Sequence, residues 1–328
     1  MSAADNVSEV AVSAGANSPL SMWALPELAP LHGCELFHSP SNILPARIPA
    51  PGITTIHDIM WLTNPEWCDA TPYGPLKRWF FQHGIRRALE QSRHIACVSE
   101  ATRTEILEHF PQLEQRLSVT RSGMADRFAR AAPAPEALKR LGIEPGARFV
   151  LVVGQFAPYK NHEGALAAFA EALGGDDRAR LVLVQRRGPD AAPLEALGKR
   201  LGIGSQLRFT GPVSEADLIQ LYSQAEMLLH PSLCEGFGNP IVEAMACGCP
   251  VITSDCSAMP EVAGGAARLV DPRATGEIAE AIGEVWHDET ARGAMREAGL
   301  ARAKALNWKD FAKANLAIYR AQLEETAE

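Results

Sequence analysis

Met227-Leu-Leu-His230 followed by Pro231-Ser-Leu-Cys-Glu235-Gly-Phe-Gly-Asn-Pro240-Ile-Val-Glu243 decides the fold. Met227 to His230 reads as a buried strand, and a loop with two glycines follows. Pro240 suits the first position of a helix. A strand whose carboxyl end runs into a helix is the unit of a parallel, doubly wound sheet. Gly236 and Gly238 open backbone conformations closed to other residues. Bare N–H groups at the helix start would form an anion site suited to a diphosphate. Glu235 stands before the turn and Glu243 is placed within the first helical turn. Both carboxylates can accept hydrogen bonds from sugar or ribose hydroxyls. A plain strand-to-helix turn, with Glu243 favoured by the helix dipole, would account for Glu243 alone.

The same alternation extends in both directions. Phe149–Val153 is an apolar run ending at Gly154, and a loop leads to Asn161, the expected N-cap of a helix that stops at Gly174-Gly175. Leu181–Val184, Leu207–Thr210 and Pro250–Thr253 read as further strands, which makes residues 148–307 a doubly wound domain. In the first half, Glu35–His38, Gly52–Ile56 and His94–Val98 read as strands. A helix is expected over Tyr73–Gln91 and another after Ser99. These place a first domain over residues 1–130, irregular to about residue 30, and a Pro-rich linker over 131–147. An amphipathic helix beginning at Trp308, within 308–328, is expected to pack back on the first domain.

Composition narrows the chemistry. At roughly 150 residues per domain, 328 residues suit two domains. The net charge is -8 and no basic stripe runs along the chain, which argues against nucleic acid as a partner. One local cluster, Lys77, Arg78, Arg86, Arg87 and Arg93 with Trp79, Phe80 and Phe81, reads as a half-buried helix with snorkelling cations. Its other reading is a peripheral face meeting anionic lipid or a diphosphate-bearing acceptor. The seven cysteines have no metal-site spacing and fit a reducing cytosol. Residues 1–18 lack the pattern of a signal peptide, and no run of 18 apolar residues occurs. The expected location is cytoplasmic, with peripheral contact at the inner membrane face. Asp-x-Asp, the phosphate-binding loop ending in Gly-Lys-Ser/Thr, and His-Glu-x-x-His are all lacking.

Glu235-x7-Glu243, running on through Ala-Met-Ala-Cys-Gly-Cys-Pro-Val-Ile-Thr-Ser-Asp255 to Met259-Pro-Glu-Val262, resembles the signature of family-4 retaining glycosyltransferases of the GT-B fold. Other stretches resemble the family in the right order: His57-Asp58 its catalytic-loop histidine, Val98-Ser-Glu-Ala-Thr-Arg103 its serine-glutamate helix start, and Gly123-Met-Ala-Asp-Arg-Phe128 its interdomain loop. Gly154 to Asn161 resembles its phosphate loop and Phe209-Thr-Gly-Pro-Val213 its base-binding turn. The resemblance spans about residues 35 to 320. It implies two Rossmann-like domains facing across a cleft and transfer of a hexosyl unit, with retention, from a nucleoside diphosphate sugar of the GDP-mannose or UDP-glucose type. The acceptor would be a saccharide or lipid-linked hydroxyl. No cofactor and no metal would be needed.

The resemblance also implies roles. Glu235 would hold donor-sugar hydroxyls. The backbone N–H groups of Phe237, Gly238 and Asn239 would hold sugar and phosphate, with Gly236 and Pro240 part of the same donor-binding loop. Glu243 would bind the ribose, Val213 would lie near the base, and Gly154 and Gln155 would line the phosphate loop. Lys160 would neutralise the leaving diphosphate. His57 would reach from the first domain to the donor sugar and the attacking acceptor. The pattern departs in three places. Gln155 and Tyr159 stand where the family often has an arginine, for which Arg186 or Arg187 could compensate. Val184-Gln-Arg-Arg-Gly188 lacks the usual glycine after the strand. About 35 residues precede His38-Ser-Pro40 without the customary first strand and glycine-rich loop, so a shortened first domain is expected. These departures leave open a non-catalytic relative that binds a sugar nucleotide or a partner protein. A phosphorylase or epimerase of the same fold is a weaker reading.

Overall fold

The computed structural model describes residues 6–15, 17–68, 74–144, 146–184 and 191–327. Two all-parallel sheets organise them. β1 (Phe37–Ser39), β2 (Gly52–Ile56), β3 (His94–Cys97) and β4 (Leu117–Val119) lie in the order β1-β2-β3-β4. β5 (Arg148–Val153), β6 (Ala179–Val184), β7 (Leu207–Phe209), β8 (Met227–His230), β9 (Val251–Ser254) and β10 (Arg268–Val270) lie in the order β10-β9-β8-β5-β6-β7.

The second sheet explains its own sequence. Its central strands are apolar at successive positions because helices cover both faces. Along β5, Phe149 and Leu151 enter one core cluster while Val150 and Val152 enter another, the two-residue period of a strand. The first of these clusters includes Tyr222, Ile241 and Met245; the second includes Phe169, Ile278 and Trp286. The chain leaves β5 for β6 and β7, then returns to pair β8 against the other edge of β5. Strand order reverses there, and the loops after β5 and β8 become neighbours at the carboxyl end of the sheet. The first sheet has no such reversal.

Several boundaries differ from the sequence reading. Within the stretch expected to be irregular, Pro19–Trp23 and Leu25–Leu28 are short helices, the first capped by Ser18. β1 runs from Phe37 to Ser39 rather than from Glu35. β4 and β10 were not expected; each is three residues long at a sheet edge. The long helix is described from Gly74 to Gln91, and Tyr73 falls outside the described residues.

The last helix, Trp308–Ala327, crosses to the first sheet. Ile318 and Tyr319 pack with Leu36, Ile53 and Ala96, and the Tyr319 hydroxyl bonds His38 Nδ1. Where this crossing begins, Met124 N–H donates to the Leu306 carbonyl at 3.0 Å and Met124 pairs with Asn307. Gly123 lies so close that a Cβ there would overlap the backbone of Asn307 and Trp308.

Candidate active site

The loop after β8 and the loop after β5 meet at Glu235. Its Oε1 accepts from Lys160 Nζ at 2.6 Å, His230 Nε2 at 2.9 Å and Ser232 Oγ at 2.7 Å. Lys160 and Glu235 are each only 10% exposed at the side chain. Burial alone would raise the Glu235 carboxyl; the Lys160 ammonium and the His230 bond outweigh it and hold the group at about 2. Burial lowers His230, which therefore donates as a neutral ring. The Glu235 peptide is fixed as well: its N–H donates to Ser257 Oγ at 3.2 Å, and the same hydroxyl donates to its carbonyl at 2.7 Å.

Lys160 ends a 3-10 turn, Pro158–Lys160, and Asn161 caps the next helix in the left-handed conformation. Gly154 leaves room for the lysine stem, since a Cβ there would stand 3.3 Å from Lys160 Cδ. Gln155 is exposed and donates through Nε2 to the Tyr159 hydroxyl at 3.1 Å. Tyr159 thus occupies the place of an arginine with a half-buried ring, 5.1 Å from Lys160 Nζ. Arg186 and Arg187 lie outside the described residues.

Beyond Glu235, Gly238 takes a φ of 90° and caps the helix Asn239–Ala246, whose first turn has no side-chain cap. Two expectations need correcting here. Asn239, not Pro240, is the first helical residue, and Glu243 stands one turn further in rather than within the first turn. The left-handed Gly238 ends the loop one residue earlier than the proline suggested. Glu243 consequently faces inward, where Tyr222 donates to its Oε2 at 3.0 Å and burial raises its carboxyl. Glu243, Asn239, Gly123, Arg127, Phe128 and Trp308 line a cavity of about 170 Å³ between the halves of the chain. Phe237 is buried in the core, and Val213 sits apart in the turn after β7, half-buried against the same core.

His57 follows β2, and its carbonyl abuts Gly236: a Cβ at Gly236 would overlap that oxygen. Ser99 Oγ, just after β3, donates to the Gly236 carbonyl at 2.7 Å, and Thr102 Oγ1 donates to the His57 carbonyl at 3.0 Å. Glu261 adds a further tie. Its Oε2 accepts from Glu100 N–H at 2.8 Å, at the start of the Glu100–His109 helix, and its Oε1 accepts from Arg121 Nε at 2.7 Å. The carboxyl ends of the two sheets therefore face each other, with His57 beside the Glu235 loop. His230, Ser232 and Ser257 were missed from sequence. The available signal was that His230 and Ser232 bracket the end of β8, at the same strand end as Glu235. Among the described residues no group of three His, Cys, Asp or Glu could hold a metal ion. No helix among them is long and apolar enough to cross a membrane.

The profile of the family described as glycosyl transferases group 1 matches residues 134–302. O-antigen chain mannosyltransferase B from Escherichia coli is 32% identical over 291 residues, covering 87% of this chain and 74% of that protein. D-inositol 3-phosphate glycosyltransferase from Segniliparus rotundus is 26% identical over 84% of this chain, which spans 62% of that relative's length. Among solved structures, sucrose-phosphate synthase from Thermosynechococcus elongatus superposes with a TM-score of 0.70 at 22% identity, over 89% of this chain and 74% of that one. HepE from Anabaena, solved with UDP and glucose, superposes at 0.68 and 21% identity, over 83% and 71%. The chain belongs to the glycosyl transferases group 1 family and is a transferase with the GT-B fold.

Proposed function

We propose that this protein moves a hexosyl unit, mannosyl in the first instance, from a nucleoside diphosphate sugar to an acceptor hydroxyl with retention of configuration. The acceptor is a saccharide or lipid-linked glycan in polysaccharide or glycolipid synthesis. The observation that carries this is the buried Lys160–Glu235 pair at the point where strand order reverses. The name of the Escherichia coli relative supports mannose and O-antigen chains as the first substrates to try.

In this reading Glu235 Oε1 is saturated by three donors, so Oε2 is left to accept a sugar hydroxyl. The glycosidic bond from C1 to the diphosphate oxygen breaks, and C1 bonds to the acceptor oxygen on the same face. The acceptor proton passes to the departing diphosphate. Lys160 and the uncapped start of the Asn239–Ala246 helix meet the charge that develops there, without a metal. His57 stands at the donor sugar, and Glu243, with the cavity beside it, takes the nucleoside.

Thermal shift and turnover against GDP-mannose, UDP-glucose and their nucleotides, with and without a chelator, test this. Donor binding raises the melting temperature by mass action. The absence of any shift or turnover with all of them sinks the proposal; binding without turnover points to the non-catalytic alternative. Product anomeric configuration, read by NMR, tests retention.

The same reading includes contact with a membrane surface. Leu76 and Trp79 are exposed, at 68% and 57%, and line a groove with Trp23, Phe80 and Lys77, with Arg78 and Arg86 exposed on the same helix. Apolar side chains beside cations suit an anionic lipid headgroup layer. Flotation with vesicles rich in phosphatidylglycerol should carry the protein, and Trp79→Ser with Arg78→Glu should abolish it. Equal flotation with neutral vesicles contradicts it.

A further inference from the structure

His57 sits in a loop, and a loop by itself does not hold a side chain to catalytic tolerance. The segment that follows β1, Pro40-Ser-Asn42, supplies what the loop lacks. Asn42 Oδ1 accepts the His57 backbone N–H at 2.7 Å. The Asn42 side chain also hydrogen-bonds the Asp58 carboxylate, with its amide as donor. Asp58 Oδ1 in turn accepts from Met60 N–H at 3.0 Å, which fixes the far side of the turn. The Pro40 carbonyl lies 2.9 Å from His57 Nε2. A carbonyl can only accept, so the neutral ring carries its proton on Nε2 and leaves Nδ1 as the lone-pair nitrogen. Ser39 Oγ, donating to the Ile43 carbonyl at 2.6 Å, closes the supporting turn from beneath.

We propose that Asn42 is a positioning residue for the transfer: it grips the His57 backbone N–H and the Asp58 carboxylate and so sets the place of the His57 ring against the Pro40 carbonyl that fixes its tautomer. This rests on the reading of His57 above. One amide side chain offers both an acceptor for a backbone N–H and a donor for a carboxylate, and no apolar or purely acidic residue of that size does both. The grip acts on the first-domain side of the cleft and not on the Lys160–Glu235 pair, so it belongs to turnover rather than to donor binding.

The test compares wild type with Asn42→Ala, using whichever of GDP-mannose and UDP-glucose the wild type turns over. The kcat should fall about tenfold or more, with donor KM and the nucleotide thermal shift held within about twofold. Retention of kcat, or an equal loss in donor binding, overturns the proposal. Should the alanine protein not fold, the same split is read on Asn42→Asp. That variant keeps the shape and the acceptor for His57 N–H but sets a second carboxylate against Asp58; full kcat in it overturns the proposal. A second readout needs no activity. NMR of isotope-labelled histidine, with His57 assigned by a His57→Gln control, should find a single Nε2–H tautomer in wild type and a mixture in the Asn42 variant. An unchanged tautomer overturns the positioning role. A wild type inactive on every donor counts instead against the proposed function, leaving the tautomer result to decide this one.

Discussion

Glu235 is held by three donors on one oxygen, and each has a separable consequence. Lys160→Ala removes the only cation among them and should lower kcat by about two to three orders of magnitude, if the charge it meets is that of the leaving diphosphate. It also strands a buried carboxylate, so the protein should lose about 3 kcal/mol or more in denaturant melts. A variant that loses stability while keeping kcat would assign Lys160 a structural role only. The pH dependence has a definite sign. Glu235 titrates at about 2 instead of 4.5, so its ionised form stabilises the fold fully above pH 4.5 and that contribution fades as pH falls towards 2. The melting-temperature gap between wild type and Glu235→Gln should be flat above pH 4.5 and shrink below it. A gap that grows on acidification contradicts the ion pair. The glutamates and the lysine were legible because loop glycines and a strand-to-helix junction flag them. His230 and Ser232 were not, because a buried histidine at a strand end reads as core until its partner is known. Glu243 was placed a turn too early for a similar reason: proline marks the helix, while glycine at φ 90° sets where it starts.

At the level of elements, Glu261 ties the short helix Met259–Ala263 to the amino end of the helix Glu100–His109, where N–H groups and dipole favour a carboxylate. Glu261→Ala should cost about 1 kcal/mol, the scale of a lost helix cap. It should also raise the donor KM, since the tie spans the two sheets. Small-angle scattering of the variant should give a larger radius of gyration than wild type without nucleotide; identical profiles would confine Glu261 to local stability. Long apolar runs such as β5 and β8 announced themselves in the sequence, since burial on both faces leaves a continuous signal. β4 and β10 did not. Three residues at a sheet edge, Leu117-Ser-Val119 and Arg268-Leu-Val270, carry mixed exposure and no period long enough to read. The helices over 19–28 were hidden by their brevity; Ser18 caps the first, and the second has no side-chain cap.

Across the whole molecule, the last helix makes the first sheet depend on the far end of the chain. Ile318→Asp would bury a charge against Ile53 and Ala96 and should destabilise the fold by about 3 kcal/mol or more. Calorimetry should show this as an earlier transition that added nucleotide does not rescue; a nucleotide-sensitive loss would place the damage in the second sheet. The chain also crosses between the two sheets along two neighbouring strips of backbone, Gly123–Met124 on the way out and Leu306–Asn307 on the way back, bonded side by side. Two parallel pins set close together define an axle. A swing about that line would be the travel the halves could make without breaking either strip, with sliding and twisting resisted, much as a door keeps its edge aligned with its frame. Such a swing would bring Gly236 back to the same place against the His57 carbonyl, which it abuts here. The bare α-carbon of Gly123 is what lets the two strips lie this close, since a Cβ there would overlap the backbone of Asn307 and Trp308.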